Sequence, residues 1–129
     1  MATVGEIMST GLVTVDASLP LTEAAKVMNE RSVGAVLVLA GDRVGGILTE
    51  RDVLRAVALG EVEDADVAAY MTPGPETVEP SDSTSLAASV MIHGGFRHLP
   101  VVAAGKPVGI VSIRDLMRVV LDDETPRGA

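Results

Sequence analysis

Cysteine is absent from this chain of 129 residues, and aromatic residues make up only 2% of it. The lack of cysteine excludes a disulfide scaffold, cysteine catalysis and thiolate metal sites, and it is compatible with a reducing cytoplasm. Because aromatic residues are so few, the core must be built from aliphatic side chains and methionine, which belong to the 47% of residues that are hydrophobic. Such a core favours parallel strands that are covered by helices.

Positive charge and long apolar segments are also scarce. The net charge is −8 and no basic stripe is visible, which argues against nucleic acid as a partner. The longest apolar runs have about six residues, whereas a bilayer-spanning helix needs about 20. The N-terminus lacks the basic and then apolar segments of a signal peptide. We therefore expect a cytoplasmic protein with no membrane partner.

The chain repeats itself without a gap at a spacing of 63 residues. About a third of the paired positions are identical, including Met8 with Met71, Thr14-Val15 with Thr77-Val78, Gly46-Ile47 with Gly109-Ile110, Arg51-Asp52 with Arg114-Asp115, and Arg55 with Arg118. This internal duplication predicts two motifs, residues 1–62 and 63–122, followed by a flexible tail over residues 123–129.

Each copy predicts the same order of elements, β-α-β-β-α, after a short helical lead-in. Thr3 and Asp66 are suited to be the N-caps of the two lead-ins, and Ser18 and Ser81 those of the next helices. Strands are predicted at Leu12–Val15, Ala35–Ala40 and Val44–Leu48, and in the second copy at Thr77–Val78, Leu99–Ala104 and Val108–Val111. The last helices are predicted to begin near Thr49 and Ser112, and the first of them to end at Gly60.

A three-stranded sheet with its helices on one face leaves the other face uncovered, whereas two such sheets can cover each other. The predicted fold class is therefore α/β (α+β), with two β-α-β-β-α units, their sheets packed together and their helices outside.

Four segments of the chain resemble the CBS motifs named for cystathionine β-synthase. They are the openings "IMSTGLVTV" and "YMTPGPETV" and the segments "GILTERDVLRAV" and "GIVSIRDLMRVV". The resemblance covers about residues 3 to 122, and two copies correspond to the pair called a Bateman module. It implies that the motifs are related by a pseudo-twofold axis and that one or both of the clefts between them bind AMP, ADP, ATP, S-adenosylmethionine or a related adenosyl ligand.

The resemblance also implies which residues would meet that ligand. In the family's segment G-h-h-[ST]-x-x-[DN], the hydroxyl contacts phosphate and the acid holds the ribose, which points to Thr49 with Asp52 and to Ser112 with Asp115. Basic residues often precede the "LPV" strand of the family, and here they are Arg97 and His98. The first copy departs from this pattern because it has Gly34 and Ala35 there. The start of the first long helix, near Ser18 or Ser81, can contact a ligand bound across from it.

The residue types themselves leave other interpretations open. The Thr49-x-x-Asp52 spacing, like its second copy, also matches a helix capping box. Both roles can coexist, because a helix N-terminus is itself a site for anions. Arg97 and His98 are either a phosphate clamp or a solvated pair of loop residues.

Two further arginines recur in both copies, directly before the aspartates. Arg51 and Arg114 either lean over a phosphate or pair with local acids on a solvated face.

We therefore expect a regulatory module that senses an adenine nucleotide and acts through an effector protein or through self-association as a homodimer. The alternative is a homodimerisation scaffold that binds no ligand. The chain has two histidines, five residues apart, and no cysteine, and these do not form a recognisable set of catalytic groups. We therefore expect no enzyme, no catalytic residue, no metal and no obligatory cofactor.

Overall fold

The computed structural model describes residues 2–123, and the chain separates into two compact units. The central unit is Leu12–Pro75, and the terminal unit combines the described residues up to Gly11 with those from Glu76 onward. In chain order the elements are α1 (Val4–Ile7), β1 (Thr14–Val15), α2 (Leu21–Arg31), β2 (Ala35–Ala40), β3 (Arg43–Thr49), α3 (Glu50–Ala58), α4 (Val67–Tyr70), β4 (Thr72–Pro73), α5 (Thr84–Gly94), β5 (His98–Ala103), β6 (Lys106–Ser112) and α6 (Ile113–Asp123).

The central unit contains a four-stranded sheet in the order β1-β2-β3-β4. Strands β2 and β3 form an antiparallel hairpin in which Ala35 lies opposite Thr49 and Val38 opposite Gly46. β1 runs parallel to β2, whereas β2 with β3 and β3 with β4 are antiparallel, so the expectation of parallel strands holds for one pair of this sheet and is wrong for the other two. The mixed α+β fold class predicted from the repeat is thereby confirmed.

The terminal unit repeats this pattern with shorter outer strands. Its hairpin β5–β6 places His98 opposite Ser112 and Val101 opposite Gly109, each 63 residues beyond its counterpart. Single bridges take the place of the outer strands, since Val78 pairs with Val101 and Ser9 with Ile110. Both hairpins shift register at the same point, after Val38 and after Val101.

Each unit has its own aliphatic core beneath the hairpin. In the central unit, Leu21, Ala24 and Met28 of α2 pack with Val36 and Val38 of β2, and the 3–4 spacing on α2 is the one that predicted a buried helix face. In the terminal unit the same positions are occupied by residues such as Ala87, Met91, Leu99 and Val101.

The lead-in helices do not join the units that their sequence repeats suggest. α1 packs on β6 in the terminal unit, and α4 packs on α3 in the central unit. The motif boundaries at residues 62 and 63 therefore describe the sequence repeats, while the compact units exchange these lead-ins. Of the predicted tail, Asp123 is the last residue of α6, and residues 124–129 lie outside the described part of the chain.

The matched glycines Gly46 and Gly109 allow the lead-in segments to approach the hairpins closely. A Cβ at Gly46 would lie 2.6 Å from the Met71 sulfur, and one at Gly109 would lie 2.6 Å from the Met8 sulfur and 2.8 Å from the Ser9 carbonyl oxygen. The glycine and the methionine recur together in both copies because a side chain at the glycine would collide with the methionine.

Most predicted helix ends are confirmed. Asp66 accepts a hydrogen bond from the Ala69 amide at 3.1 Å, Thr49 caps α3, and Gly60 follows the end of α3 with φ +72°. Thr3 stands at the N-cap of α1, but its hydroxyl donates to the Glu6 carboxylate instead of accepting an amide.

The prediction that Ser18 and Ser81 are N-caps is wrong. Helix α2 begins after Pro20, and α5 begins after Ser83, whose hydroxyl accepts from the Leu86 amide at 3.0 Å. Each predicted cap lies instead in a turn two residues earlier, closed by the Leu19 amide in one unit and by the Asp82 amide in the other. Two further strand predictions were too long, since β1 is Thr14–Val15 and Val78 makes a single bridge.

Helix length also bears on the membrane expectation. Within residues 2–123 the longest helices have 11 residues, and none is long and apolar enough to cross a bilayer.

We expect Ser83→Ala to lower the free energy of unfolding by about 1 kcal/mol, because it removes the hydroxyl that caps α5. For a chain of this length the melting temperature should fall by about 3–5 °C in a calorimetric scan. Ser81→Ala is the matched control and should change stability by less than about 0.5 kcal/mol, since Ser81 is exposed. Equal losses from the two substitutions would contradict the observed start of α5.

Candidate functional site

The residues that both copies share most closely meet where each hairpin ends and the last helix begins. In the central unit the Thr49 amide donates to Asp52 Oδ2 at 2.8 Å, the Thr49 hydroxyl donates to the same oxygen at 3.1 Å, and the Asp52 amide donates to the Thr49 hydroxyl at 3.4 Å. This is a reciprocal capping box.

The terminal unit has the same arrangement at Ser112 and Asp115. The three corresponding distances are 2.8, 2.9 and 3.2 Å. The capping interpretation of both segments is therefore confirmed, and it leaves open whether the same carboxylates also bind a ligand.

An arginine one turn further along each helix completes the surroundings of these carboxylates. Arg55 Nη1 lies 3.4 Å from Asp52 Oδ1, and Arg118 Nη1 lies 3.8 Å from Asp115 Oδ1. Sequence reasoning did not assign a role to these arginines, although their recurrence in both copies, three residues after an aspartate, was a signal that could have indicated one.

The bonds of each carboxylate limit what else it can bind. A carboxylate has about four lone-pair positions. The amide and hydroxyl of Thr49 or Ser112 donate to Oδ2, whereas the arginine lies near Oδ1 as an ion-pair partner, at 3.4 Å in one unit and 3.8 Å in the other. Each carboxylate therefore keeps acceptor capacity on Oδ1 for an incoming hydroxyl.

Arg97 and His98 lie beside this junction in the terminal unit. The Ile113 amide donates to the Arg97 carbonyl at 2.9 Å, and His98 pairs with Ser112 across the hairpin. Because adjacent strand ends share one edge of a sheet, the structure brings both basic residues to the edge where α6 begins. Arg97 is exposed and His98 is partly buried.

The same edge of the central unit carries no basic residue at these positions. There the Glu50 amide donates to the Gly34 carbonyl at 3.0 Å, and Ala35 pairs with Thr49. The asymmetry seen in the sequence is therefore an asymmetry at the two helix N-termini.

Ser18 and Ser81 are not brought to these edges within their own units. β1 runs parallel to β2, so the turn that contains Ser18 lies beyond the C-terminal end of β2, whereas Thr49 lies beside its N-terminal end. The parallel bridge between Val78 and Val101 places Ser81 in the same way. A ligand role for either serine stays a prediction, as does one for Arg51 and Arg114, which are both exposed on the first turns of α3 and α6.

Arg55 also contacts Tyr70 in the central unit. The guanidinium carbon lies 5.2 Å from the centre of the Tyr70 ring, and Nη2 lies 3.5 Å from the Tyr70 carbonyl oxygen. The Tyr70 hydroxyl donates to the Glu61 carboxylate. This hydrogen bond, together with burial, raises the pKa of Tyr70 above its ordinary value of 10.0.

Comparison with known proteins agrees with the duplication. The family model described as "CBS domain" matches residues 4–59 and again residues 65–122. A 17.7 kDa protein of Acidianus ambivalens is 41% identical over 97% of this chain and 77% of its own length.

Solved structures are similar over nearly the whole chain. A protein with CBS domains from Burkholderia ambifaria is 36% identical, with a TM-score of 0.89 over 99% of this chain and 100% of its own. The structure of CBSX2 in complex with AMP is 27% identical, with a TM-score of 0.81 over 96% of this chain and 99% of its own.

The pKa of Tyr70 can be measured directly, because the chain has one tyrosine. In protein labelled with ¹³C at tyrosine Cζ, a single signal should titrate above pH 10, and Glu61→Gln should move its midpoint to lower pH. Since the folded-state pKa is raised, the stability that this hydrogen bond contributes is present below pH 10 and is lost as the pH rises through the folded-state pKa.

Glu63→Gln, a nearby exposed position, is the control and should leave the midpoint unchanged. The same midpoint in wild type and Glu61→Gln would show that the carboxylate does not cause the shift.

Proposed function

Because this chain belongs to the CBS-domain family, as a tandem pair of its motifs, we propose that it is a regulatory module that binds an adenine nucleotide and passes the ligand state to another chain. The observation that carries this proposal is the duplicated junction, where a hydroxyl residue and an aspartate are held together at a helix N-terminus, in the terminal unit beside Arg97 and His98. In this role the protein binds and releases its ligand unchanged.

The chemistry of the junction suits a nucleoside phosphate. An aspartate that keeps acceptor capacity can take a ribose hydroxyl, and a charge-assisted hydrogen bond of this kind contributes about 1.5–3 kcal/mol. The amides and dipole at the start of α3 and α6 favour an anion. Similarity to a CBS protein whose structure contains AMP supports the same ligand class, which includes AMP, ADP, ATP and S-adenosylmethionine.

We further propose that the junction at Asp115 takes the phosphate-bearing ligand better than the junction at Asp52. A net charge of −8 repels an anion, although salt screens this repulsion beyond about 8–10 Å. A local cation must offset the phosphate charge, and Arg97 and His98 provide one at the edge where α6 begins. Gly34 and Ala35 provide none at the matching edge.

Self-association has its own support in the exposed faces of the last helices. On α6, Ile113, Met117, Val120 and Leu121 are all exposed, and their spacing places them on one face. Leu54 and Val57 are exposed at matching positions of α3. Apolar helix faces of this kind favour burial against a second copy of the chain, in an isologous homodimer. This observation is also what favours the second candidate function, a dimerisation scaffold without ligand.

A thermal-shift panel of AMP, ADP, ATP, adenosine and S-adenosylmethionine separates the two functions. A ligand at about 100 times its dissociation constant should stabilise the protein by about 2.7 kcal/mol, which is a shift of several degrees. If none of these compounds raises the melting temperature at millimolar concentration, a dimerisation scaffold without ligand is the function that remains.

Substitutions at the terminal unit test the ranking of the two junctions. Asp115→Asn should weaken AMP binding by about 10- to 150-fold in calorimetry, because it removes the charged acceptor while an amide oxygen can still cap α6. Arg97→Ala should weaken AMP much more than adenosine, since it removes a phosphate contact alone. Arg43→Ala, an exposed arginine at the far end of the other hairpin, is the control. Loss of AMP binding in Asp52→Asn but not in Asp115→Asn would reverse the ranking.

Sedimentation at micromolar concentration should show a species of twice the 13.3 kDa chain mass. Met117→Lys should shift the protein towards monomer, because it places a charge in the apolar face of α6. Asp122→Asn changes the net charge by the same amount on the same helix and should leave the dimer intact. A monomeric wild type, with and without AMP, would exclude the homodimer.

A further inference from the structure

We propose that Tyr70 is a positioning residue for Asp52, acting through Arg55. The inference rests on the proposed function, because positioning matters for a carboxylate that receives a ligand hydroxyl. All four residues involved, Asp52, Arg55, Glu61 and Tyr70, belong to the central unit.

The ion pair between Arg55 and Asp52 needs additional support. The Asp52 side chain is 11% exposed, whereas the Arg55 side chain is 55% exposed and therefore well solvated. An ion pair with one solvated partner is weak, because a long side chain must give up its rotamer freedom for a screened attraction. A guanidinium that is already restrained loses less rotamer freedom when it pairs with a carboxylate. An interaction that restrains Arg55 therefore strengthens its ion pair with Asp52 and helps to hold Oδ1 in place.

Tyr70 supplies that restraint in two ways. Its ring offers a flat face 5.2 Å from the guanidinium carbon, within the range of a cation–π contact. Its carbonyl oxygen accepts a long hydrogen bond from Nη2 at 3.5 Å. The Arg55 guanidinium is thus held between Asp52 on one side and Tyr70 on the other.

Tyr70 is itself restrained at both ends. The ring is buried in the core cluster of the central unit, and the hydroxyl donates to Glu61 in the connection between α3 and α4. The position of the Asp52 carboxylate is therefore coupled, through Arg55 and Tyr70, to the segment that follows α3.

The terminal unit provides an internal comparison. The residue 63 positions before Tyr70 is Ile7, which has neither an aromatic face nor a hydroxyl. There the arginine lies further from its aspartate, at 3.8 Å instead of 3.4 Å, and its side chain is 69% exposed instead of 55%. The same Asp-x-x-Arg pair is held more loosely where the tyrosine is absent.

Adenosine is the probe for this inference, because it carries the ribose and no phosphate. The Asp52-dependent binding event is defined as the one that Asp52→Asn removes in calorimetry. Tyr70→Ile should weaken that event by about three- to tenfold, the size expected when one member of a coupled pair is removed. Tyr70→Phe keeps the aromatic face that Arg55 contacts and loses only the hydroxyl that bonds Glu61, so it should weaken the event less than Tyr70→Ile, by no more than about twofold. Unchanged or tighter binding by Tyr70→Ile would overturn the inference.

A ligand-free measurement distinguishes this inference from the proposed function. With ¹³C at tyrosine Cζ, the Tyr70 signal should move in Asp52→Asn and in Arg55→Lys, and it should not move in the matched variants Asp115→Asn and Arg118→Lys. A residue with a purely structural role in the core would show no such dependence on Asp52. If the Tyr70 signal stays unchanged in both Asp52→Asn and Arg55→Lys, the inference is overturned even if adenosine binds.

Failure of the proposed function has a separate signature. If adenosine and AMP do not bind to wild type, or if no binding event depends on Asp52, the nucleotide function of this junction fails, and the ligand-free signals still decide whether Tyr70 positions Asp52. Adenosine should also shift the Tyr70 signal in wild type and in Arg118→Lys but not in Asp52→Asn.

Discussion

The reciprocal hydrogen bonds at the end of each hairpin position the polar residues that recur in both copies. Where β3 passes into α3, the amide and hydroxyl of Thr49 both donate to Asp52, and Ser112 and Asp115 repeat the arrangement. A largely buried carboxylate needs such donors because it has lost most of its water. The bonds that start the helix therefore also hold a negative charge at a helix N-terminus.

The two junctions repeat the same hydrogen bonds, but their neighbours differ. The hairpin of the terminal unit brings Arg97 and His98 next to the start of α6, whereas the central unit has Gly34 and Ala35 at that edge. The central unit instead restrains its carboxylate through Arg55, against the ring and carbonyl of Tyr70. The two junctions therefore differ in local charge and in the contacts that restrain the carboxylate.

The sequence was informative wherever the physical cause was local. The 3–4 spacing on α2, the apolar runs of the four hairpin strands and the capping spacing of Thr49-x-x-Asp52 predicted elements that the structure contains. The N-caps at Ser18 and Ser81 were wrong because serine is suited both to caps and to turns. Backbone hydrogen bonds of the preceding turns, which the sequence does not show, move each helix start two residues later.

By itself, the sequence determined the duplication, the long helices and hairpin strands of each copy, the mixed fold class and the pairing of each hydroxyl residue with its aspartate, because these follow from spacing along one chain. It did not predict β4, whose two residues pair with β3 only because the chain folds back there. The tertiary structure alone decided which lead-in helix completes which unit. Met8 and Met71 stand in equivalent local sequences, so either could pack against either matched glycine, and only the folded chain places Met8 on Gly109 and Met71 on Gly46. It also decided that Arg55 meets Tyr70, since the contact depends on where α4 packs and not on any motif.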